Sequence, residues 1–333
     1  MSEITIRRLR PEDAGALKGC FERCYGDSYV VEEFYRPQAT AARVQSGMLR
    51  SVVAVTETNE IVGHMGIAIR DPRARTVDAG NSIVDPRYRG KQIVARLAGG
   101  IVDLCREGGF LGFHHYPTTA HPIMQKLAVA GGGIETGVML EYVPSGTEYR
   151  EIADGIRHDR PAVIVVYQPL APTPARDVFV PAPLAVPVGE IYARGSLPRT
   201  TRAASLPLPA VAARLETTID RRRDLLRIAV EQVGADLGKQ ISEAVTAANT
   251  HVSQIDLQMA DPAIGGAAAA LEDAGFFFAA VLPEYLDGDV LRLQRIATAE
   301  IPRIDVVTED ARQLLRVIAG DRARARDQRG GRG

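Results

Sequence analysis

The stretch from Val77 to Cys105 constrains the fold of this chain more than any other, because it joins an extended segment to a helix through a basic turn. Val77 to Val84 has the composition of a strand. From Lys91 onward, apolar residues recur at helical spacing until Gly108 and Gly109 end the pattern. The apolar residues at this spacing are Ile93, Leu97, Ile101 and Leu104. The pattern predicts a strand, a turn and a helix in succession.

The turn before this helix has the chemistry of a phosphate site. The first backbone N–H groups of a helix lack partners within the helix and lie at the positive end of its dipole. Arg89 and Lys91 add positive charge there, and Gly90 lets the backbone approach a ligand closely. An ordinary strand–helix turn with cations on the surface is the alternative interpretation.

The segments around the turn alternate between strand and helix patterns. A strand opens the chain, two helical stretches and a hairpin follow, and the unit just described comes next. A strand, a short helix and two further strands complete the predicted first half. The predicted strands are 4–9, 51–56, 61–69, 77–84, 110–116, 134–142 and 162–167. The predicted helices are 11–25, 31–47, 91–107 and 119–130.

This order of elements resembles the GNAT acetyltransferase family over roughly 140 residues, most sharply from Ile83 to Val94. The resemblance implies a mixed α/β sheet that splays after its fourth strand, with acetyl-CoA or another acyl-CoA lying in the gap. It implies that the backbone of Val84 pairs with the pantetheine arm. It also implies that one loop binds the pyrophosphate, with the residues Arg89, Gly90, Lys91, Gln92, Ile93 and Val94.

Two departures from the family pattern bear on activity. Gln92 and Val94 stand where the family prefers glycine, or alanine at the second place, so side chains narrow the room for a pyrophosphate. Many family members carry a tyrosine as general acid on the helix after the fifth strand. Met124 occupies that place, and a thioether cannot donate a proton.

Two residues are the candidate catalytic groups. His121 stands at the rim where the acyl group would lie, and an imidazole suits proton transfer near neutral pH. Asp78 lies on the fourth predicted strand, where some family members place a general base. The alternatives are that His121 caps or packs against its helix and that Asp78 is a solvated carboxylate. No metal site is expected, because the neighbouring side chains of His114 and His115 point to opposite faces of a strand.

The second half is interpreted as a degenerate GNAT-like domain without coenzyme A. Its nearest counterpart of the phosphate turn, Val233 to Gly238, lacks a cation, and Asp236 would repel phosphate. An unrelated α/β domain is the alternative. The predicted organisation is therefore two tandem GNAT-like domains. The boundaries are 1–168 for the acyl-CoA domain, 169–187 for a proline-rich linker, 188–305 for the second domain and 306–333 for a terminal helix with a disordered Arg/Gly tail.

Composition excludes several classes of protein. A formal charge of -1 argues against a nucleic-acid partner. Three cysteines are too few for a disulfide framework and suit a reducing compartment. The absence of a signal peptide and of a long apolar run predicts a cytoplasmic protein that does not bind membranes.

The sequence as a whole predicts an acyltransferase that moves an acetyl or other acyl group from coenzyme A to the amine of a small molecule, with a protein as the second choice. A catalytically inactive GNAT-like protein that binds a ligand or partner is the alternative. A homodimer is compatible with either function.

Overall fold

The computed structural model describes residues 3–71, 73–150, 152, 159–204 and 206–330, with side chains as far as residue 327. Its contacts divide the chain into two units. The N-terminal unit comprises residues 1–116, 143–160 and 168–172, and the C-terminal unit comprises residues 117–142, 161–167 and 173–333. Both units combine helices with a sheet, which confirms the predicted α/β class.

The N-terminal unit builds its sheet in the order β1-β2-β3-β4-β5. Neighbouring strands run antiparallel as far as β4, and β4 and β5 run parallel. Its elements are β1 (Thr5–Arg8), α1 (Ala14–Tyr25), α2 (Pro37–Gln45), β2 (Leu49–Val55), β3 (Ile61–Ala68), β4 (Thr76–Val84), α3 (Ile93–Glu107) and β5 (Gly112–His115).

The helices of this unit bury the apolar residues that the sequence pattern placed on one face. Leu17 and Phe21 of α1 are fully buried in a cluster with Val53 and Ile83 of the sheet. The four apolar residues at helical spacing in α3 are also buried, as predicted. A Cβ at Gly63 of β3 would lie 3.2 Å from Leu97, so the missing side chain lets α3 approach the sheet closely.

The second predicted helix, over residues 31–47, is interrupted in the structure. A short 3-10 turn covers Glu32–Tyr35, and α2 begins at Pro37. Arg36 between them has an extended conformation, with φ of -117° and ψ of 87°. Proline disfavours the helical conformation in the residue before it, and its fixed φ suits the first turn of a new helix.

The C-terminal unit contains the remaining strands and helices. Its larger sheet includes the parallel pair β11–β12, and β8 and β9 form a separate parallel pair. Its elements are α4 (Ile123–Ala130), β6 (Ile134–Met139), β7 (Val163–Pro169), β8 (Arg176–Val180), α5 (Ala185–Arg194), β9 (Arg199–Ala203), β10 (Arg214–Asp220), β11 (Leu225–Gln232), α6 (Leu237–Ala248), β12 (Val252–Gln258), α7 (Ile264–Asp273), β13 (Phe277–Leu286), β14 (Gly288–Ile296) and α8 (Glu309–Gly330).

Two parts of the chain share one order of elements. The sequence β4–α3–β5–α4–β6–β7 is strand, helix, strand, helix, strand, strand, and β11–α6–β12–α7–β13–β14 repeats it. In each run the first two strands are parallel and the last two are antiparallel. The second half thus repeats the order of elements of the first, and its interpretation as a degenerate GNAT-like domain stays a prediction.

The two units differ from the boundaries expected from sequence. Residues 117–142 group with the C-terminal unit, where β6 pairs with β13 through Gly137 and Ala280. A Cβ at Gly137 would lie 2.1 Å from the carbonyl oxygen of Ala279, so only glycine permits this approach. The expected linker, residues 169–187, contains β8 and the beginning of α5.

The expected disordered tail from Asp321 is helical as far as Gly330, and residues 331–333 lie outside the described chain. Asp321 accepts a 2.7 Å hydrogen bond from the N–H of Phe278. Arg324 forms an ion pair with Glu272 at 2.6 Å, and Ala325 is buried. Composition alone predicted disorder here, but these contacts stabilise the continued helix.

A buried ionic cluster connects β8, β9, β13 and β14. Glu284 accepts two hydrogen bonds from Arg176, at 2.7 and 2.8 Å, and a third from Arg199 at 2.8 Å. Arg199 also binds both carboxylate oxygens of Asp289. The side chains of Arg199, Glu284 and Asp289 are fully buried. Each charge therefore depends on its partners, because water does not solvate it.

We predict that Glu284→Gln lowers the free energy of unfolding by about 3 kcal/mol, because it leaves a buried guanidinium with unbalanced charge. Urea denaturation followed by circular dichroism measures the change. Asp177→Asn on β8 is the matched control, since its ion pair with Arg202 is more than half exposed. Equal effects of the two substitutions would contradict a stabilising role for the buried cluster.

Candidate functional site

The strand β4 extends beyond the end of its neighbour β5. Their parallel ladder runs from the pair Thr76–Gly112 to the pair Ala79–His115. β5 ends at His115, whereas β4 continues for five more residues to Val84. Residues 80–84 of β4 thus lie beyond the end of β5, and the family resemblance places its splay there.

The backbone of Val84 points toward this splay. The N–H of the next residue, Asp85, donates to the carbonyl of Val62 on the β3 side. Successive residues of a strand direct their backbone groups to opposite edges, so the groups of Val84 point away from β3. Its carbonyl accepts a 3.1 Å hydrogen bond from Nε of Arg89, and its N–H faces the space between the strands.

The turn before α3 has the conformation of a glycine-rich loop. Gly90 has a φ of +77°, and a Cβ built on it would meet no atom within 4 Å. Gln92 has a φ of +55°, a left-handed conformation that costs a residue with a side chain roughly 1–2 kcal/mol. Its side chain is exposed and does not cap the helix, and Val94 is half-buried. Gln92 therefore does not plug the turn.

Arg89 and Lys91 have different surroundings. The guanidinium of Arg89 is anchored by the carbonyls of Val84 and Arg150, and it therefore braces the turn. Lys91 is exposed, with its ammonium 4.9 Å from the centre of the Tyr88 ring. The ammonium of Lys91 is thus the more accessible charge for an anion at the start of α3.

The carboxylate of Asp85 fixes the position of the turn. It is fully buried, and it accepts hydrogen bonds from the backbone N–H and the guanidinium of Arg87 and from the guanidinium of Arg23 on α1. Burial alone would raise the pKa of Asp85, but the bonds from Arg87 and Arg23 outweigh it and lower the pKa to about 2. The ionised carboxylate therefore connects α1, the end of β4 and the turn.

Asp78, one of the two predicted catalytic residues, lies on the paired part of β4. Arg70 forms an ion pair with it at 2.6 Å, and the hydroxyl of Tyr116 donates to it at 2.7 Å. Burial alone would raise the pKa of Asp78. The charges of Arg70 and His114 and these hydrogen bonds outweigh burial, so the pKa lies below its ordinary value. A carboxylate with a lowered pKa is a weak base near neutral pH. The sequence pattern gave no sign of the partnership with Arg70.

His121, the other predicted catalytic residue, belongs to the C-terminal unit, whereas the phosphate turn and Asp78 belong to the N-terminal unit. It is half-buried and precedes α4. Gln125 of α4 donates to the carbonyl of Thr118 at 3.2 Å and accepts from the N–H of Val307 at 3.2 Å. Gln125 therefore fixes the start of α4. The catalytic roles of His121 and Asp78 stay predictions.

His64 supports β4, a role that no pattern in the sequence indicated. Asn81 on β4 has a φ of +54°, and its carbonyl is 2.8 Å from Nδ1 of His64. The hydroxyl of Tyr29 donates to the side chain of Asn81 at 2.9 Å. Burial lowers the pKa of His64 to about 4, so it is neutral at pH 7 and supports the strand just beyond the last pair with β5.

Comparison with known proteins agrees with this geometry. Residues 16–122 match the family model described as Acetyltransferase (GNAT) family. These residues form a GNAT domain. No curated protein matches the chain in sequence. Over the residues that the structure describes, every helix is too short or too polar to cross a bilayer.

Several solved structures are similar to about half of this chain. A ribosomal-protein-S5-alanine acetyltransferase from Vibrio fischeri is 15% identical with a TM-score of 0.40, covering 51% of this chain and 94% of its own. A putative acetyltransferase from Salmonella typhimurium, solved with acetyl-CoA, is 16% identical with a TM-score of 0.42, covering 53% and 99%. A spermidine N-acetyltransferase from Vibrio cholerae is 17% identical with a TM-score of 0.40, covering 50% and 94%. Scores this low carry no argument about function.

The second copy of the strand–turn–helix unit differs from the GNAT domain at the turn. A Cβ at Gly234 would lie 2.4 Å from the carbonyl oxygen of Val211, so the backbone packs tightly there. Asp236 accepts a 2.7 Å hydrogen bond from the N–H of Ala213 and another from Gln240. The start of α6 is thus covered by residues 211–213, whereas Gly90 of the GNAT domain faces open space.

The left-handed conformation of Gln92 yields a stability prediction. We expect Gln92→Gly to be at least as stable as the wild type and Gln92→Val to be less stable by about 1–2 kcal/mol, because β-branched side chains tolerate positive φ poorly. Thermal and urea unfolding measure both variants. At Lys91, whose φ is negative, the same pair of substitutions should show no such preference for glycine. A more stable valine variant at position 92 would rule out the left-handed conformation.

The lowered pKa of Asp85 predicts a pH dependence. Its folded pKa of about 2 lies below the ordinary value of 3.8, so its contribution of about 2 kcal/mol is fully present above pH 4 to 5 and is lost as pH falls toward 2. The difference in unfolding free energy between wild type and Asp85→Asn should therefore shrink over this range. Urea titrations at a series of pH values measure it. The control Asp103→Asn, at an exposed position, should show no such trend.

Proposed function

We propose that this chain is an acyltransferase that moves an acetyl or other acyl group from coenzyme A to the amine of a small molecule. The observation that supports this most is the open turn at Gly90, placed at the start of α3 and beside the splay of β4 and β5. The match of residues 16–122 to the acetyltransferase family supports the same reaction.

The residues of the turn fit an acyl-CoA substrate. The first amides of α3, at Ile93 and Val94, and the preceding amides would donate hydrogen bonds to the diphosphate, and the ammonium of Lys91 would add charge. Arg89 braces the turn through its contacts with the carbonyls of Val84 and Arg150. The N–H of Val84 faces the splay, where it would bind the pantetheine arm or polarise the thioester carbonyl.

The reaction requires positioning and one proton transfer. The amine nitrogen attacks the carbonyl carbon of the thioester, the bond from carbon to sulfur breaks, and coenzyme A leaves with the electron pair and takes a proton. Holding both reactants in the splay supplies much of the rate. A base must take the proton that the amine loses.

We propose different roles for the two candidate catalytic residues. His121 carries an imidazole, which exchanges protons near neutral pH, and we assign it to the proton of the amine. Asp78 has a lowered pKa and contacts Arg70 and Tyr116, which suits a carboxylate that stays ionised and orients the tyrosine beside the splay. Met124 supports neither role, because its sulfur carries no proton.

A second candidate function is ligand binding without catalysis, in a regulatory or interaction protein. Asp78 favours this alternative, because its engaged carboxylate is a poor base. The strained side chain at Gln92 also departs from the glycine that the family prefers. Binding of acetyl-CoA without any transfer to amines would identify this second function. A cytoplasmic location and a homodimer remain predictions under either function.

We predict that Gly90→Ala weakens acetyl-CoA binding about tenfold or more, because the added methyl group occupies the face that approaches the diphosphate. Isothermal titration calorimetry measures binding, and mass spectrometry of amines incubated with acetyl-CoA measures transfer. Gly47→Ala is the matched control. Gly47 has a φ of +73° and open space around its Cβ position, so it carries the same backbone cost away from the turn.

The outcomes separate the proposals. Both alanine variants should lose similar stability, and only Gly90→Ala should lose affinity. If the wild type binds no acetyl-CoA at millimolar concentration, acyl transfer by this chain is excluded. Equal affinity in the wild type and Gly90→Ala would mean that the diphosphate binds elsewhere.

A further inference from the structure

A cavity of about 200 Å³ lies within the C-terminal unit, between the end of β14 and the last turns of α8. Its lining includes three arginines, Arg295, Arg322 and Arg326, and no carboxylate. The remaining lining residues are small or apolar, with the hydroxyl of Thr298 among them. Arg322 and Arg326 therefore bring positive charge to the wall of the cavity.

Arg322 is held rigidly at this cavity. It is 6% exposed, its guanidinium lies 5.4 Å from the centre of the Phe277 ring, and it donates to the carbonyl of Thr298. Arg326, one turn further along α8, donates to the carbonyl of Ala299. The carbonyls of Thr298 and Ala299 thus hold the two guanidinium groups at the same cavity. Each guanidinium has five N–H donors, so further donors of each can bind a ligand.

The charges of Arg322 and Arg326 lack an ion-pair partner in the part of the chain that the structure describes. Among the described residues, no carboxylate forms an ion pair with Arg322 or Arg326, whereas Arg324 between them pairs with Glu272 and Asp321. The negative charge of Glu141 acts on Arg322 and raises its pKa. The carboxylate of Glu141 is hydrogen-bonded to Thr298 and His251. Burial and the repulsion of Arg326 lower the pKa of Arg322. A bound anion would favour the charged form of Arg322 and so offset both effects on its pKa.

We propose that the cavity at Arg322 and Arg326 binds a phosphoryl oxyanion, either inorganic phosphate or the phosphate group of a small metabolite. Guanidinium groups bind phosphate through paired N–H donors, and the volume accommodates a phosphate with a few attached atoms. The site is built from the C-terminal unit alone, so it is independent of the diphosphate turn at Gly90 and of the acyltransferase proposal.

The experiment measures binding of inorganic phosphate and of glycerol 3-phosphate to the full chain by titration calorimetry and thermal shift, with sodium chloride at matched ionic strength. We expect Arg326→Gln to weaken binding about tenfold or more. Arg326 is exposed, so the substitution should leave the fold intact. Arg316→Gln, an exposed position on the same helix, is the matched control and should bind as the wild type does.

A Lys91→Gln variant separates this cavity from the turn of the GNAT domain. Binding that survives Lys91→Gln and is lost in Arg326→Gln supports the proposal. Binding that is lost in Lys91→Gln and survives Arg326→Gln overturns it, as does a response of the wild type no larger than that to chloride. Stronger binding of glycerol 3-phosphate than of inorganic phosphate would identify a metabolite as the ligand, and the reverse would identify the free ion.

Discussion

The ionised carboxylate of Asp85 is the interaction on which the candidate site depends. It is buried, and Arg23 and Arg87 solvate it in place of water. Removing either guanidinium would leave this buried charge with fewer partners, which is costly. Because Arg23 belongs to α1 and Asp85 directly follows β4, the ion pair fixes the distance from the first helix to the turn. The start of α3 is therefore presented in a defined position before any ligand arrives.

The opening beside this turn follows from how β4 is held. On the β3 side, the register includes His64–Ile83 and Gly63–Val84, so the end of β4 stays paired with β3 beyond the last residue of β5. Asn81, with its positive φ and its bonds to His64 and Tyr29, marks where the strand changes direction. Both sources of the splay are thus internal to the N-terminal unit. A preformed gap lowers the entropy cost of positioning a substrate.

Much of this architecture could be predicted from sequence, because local patterns determine it. The strand at Val77, the helix from Ile93 and the order of elements follow from spacing and from Gly and Pro. The turn at Gly90 was predicted for the same reason. Features that depend on residues distant in sequence could not be predicted, such as the contact of Arg70 with Asp78. The helical tail belongs to this second class, because burial of Arg322 and Ala325 overrides a composition that favours disorder.

The two runs of elements with the same order differ at the turn that precedes the helix. Both copies place a helix after a strand and a glycine-containing turn, so both offer a positive helix end. In the second copy, Asp236 binds the N–H of Ala213, and the backbone near Gly234 is tightly packed. The protein itself thus covers that helix start. In the first copy, Gly90 meets no neighbouring atom, and Lys91 is exposed. The difference between the copies is the covering segment rather than the helix, so the acyltransferase proposal depends on an open helix start and not on the order of elements alone.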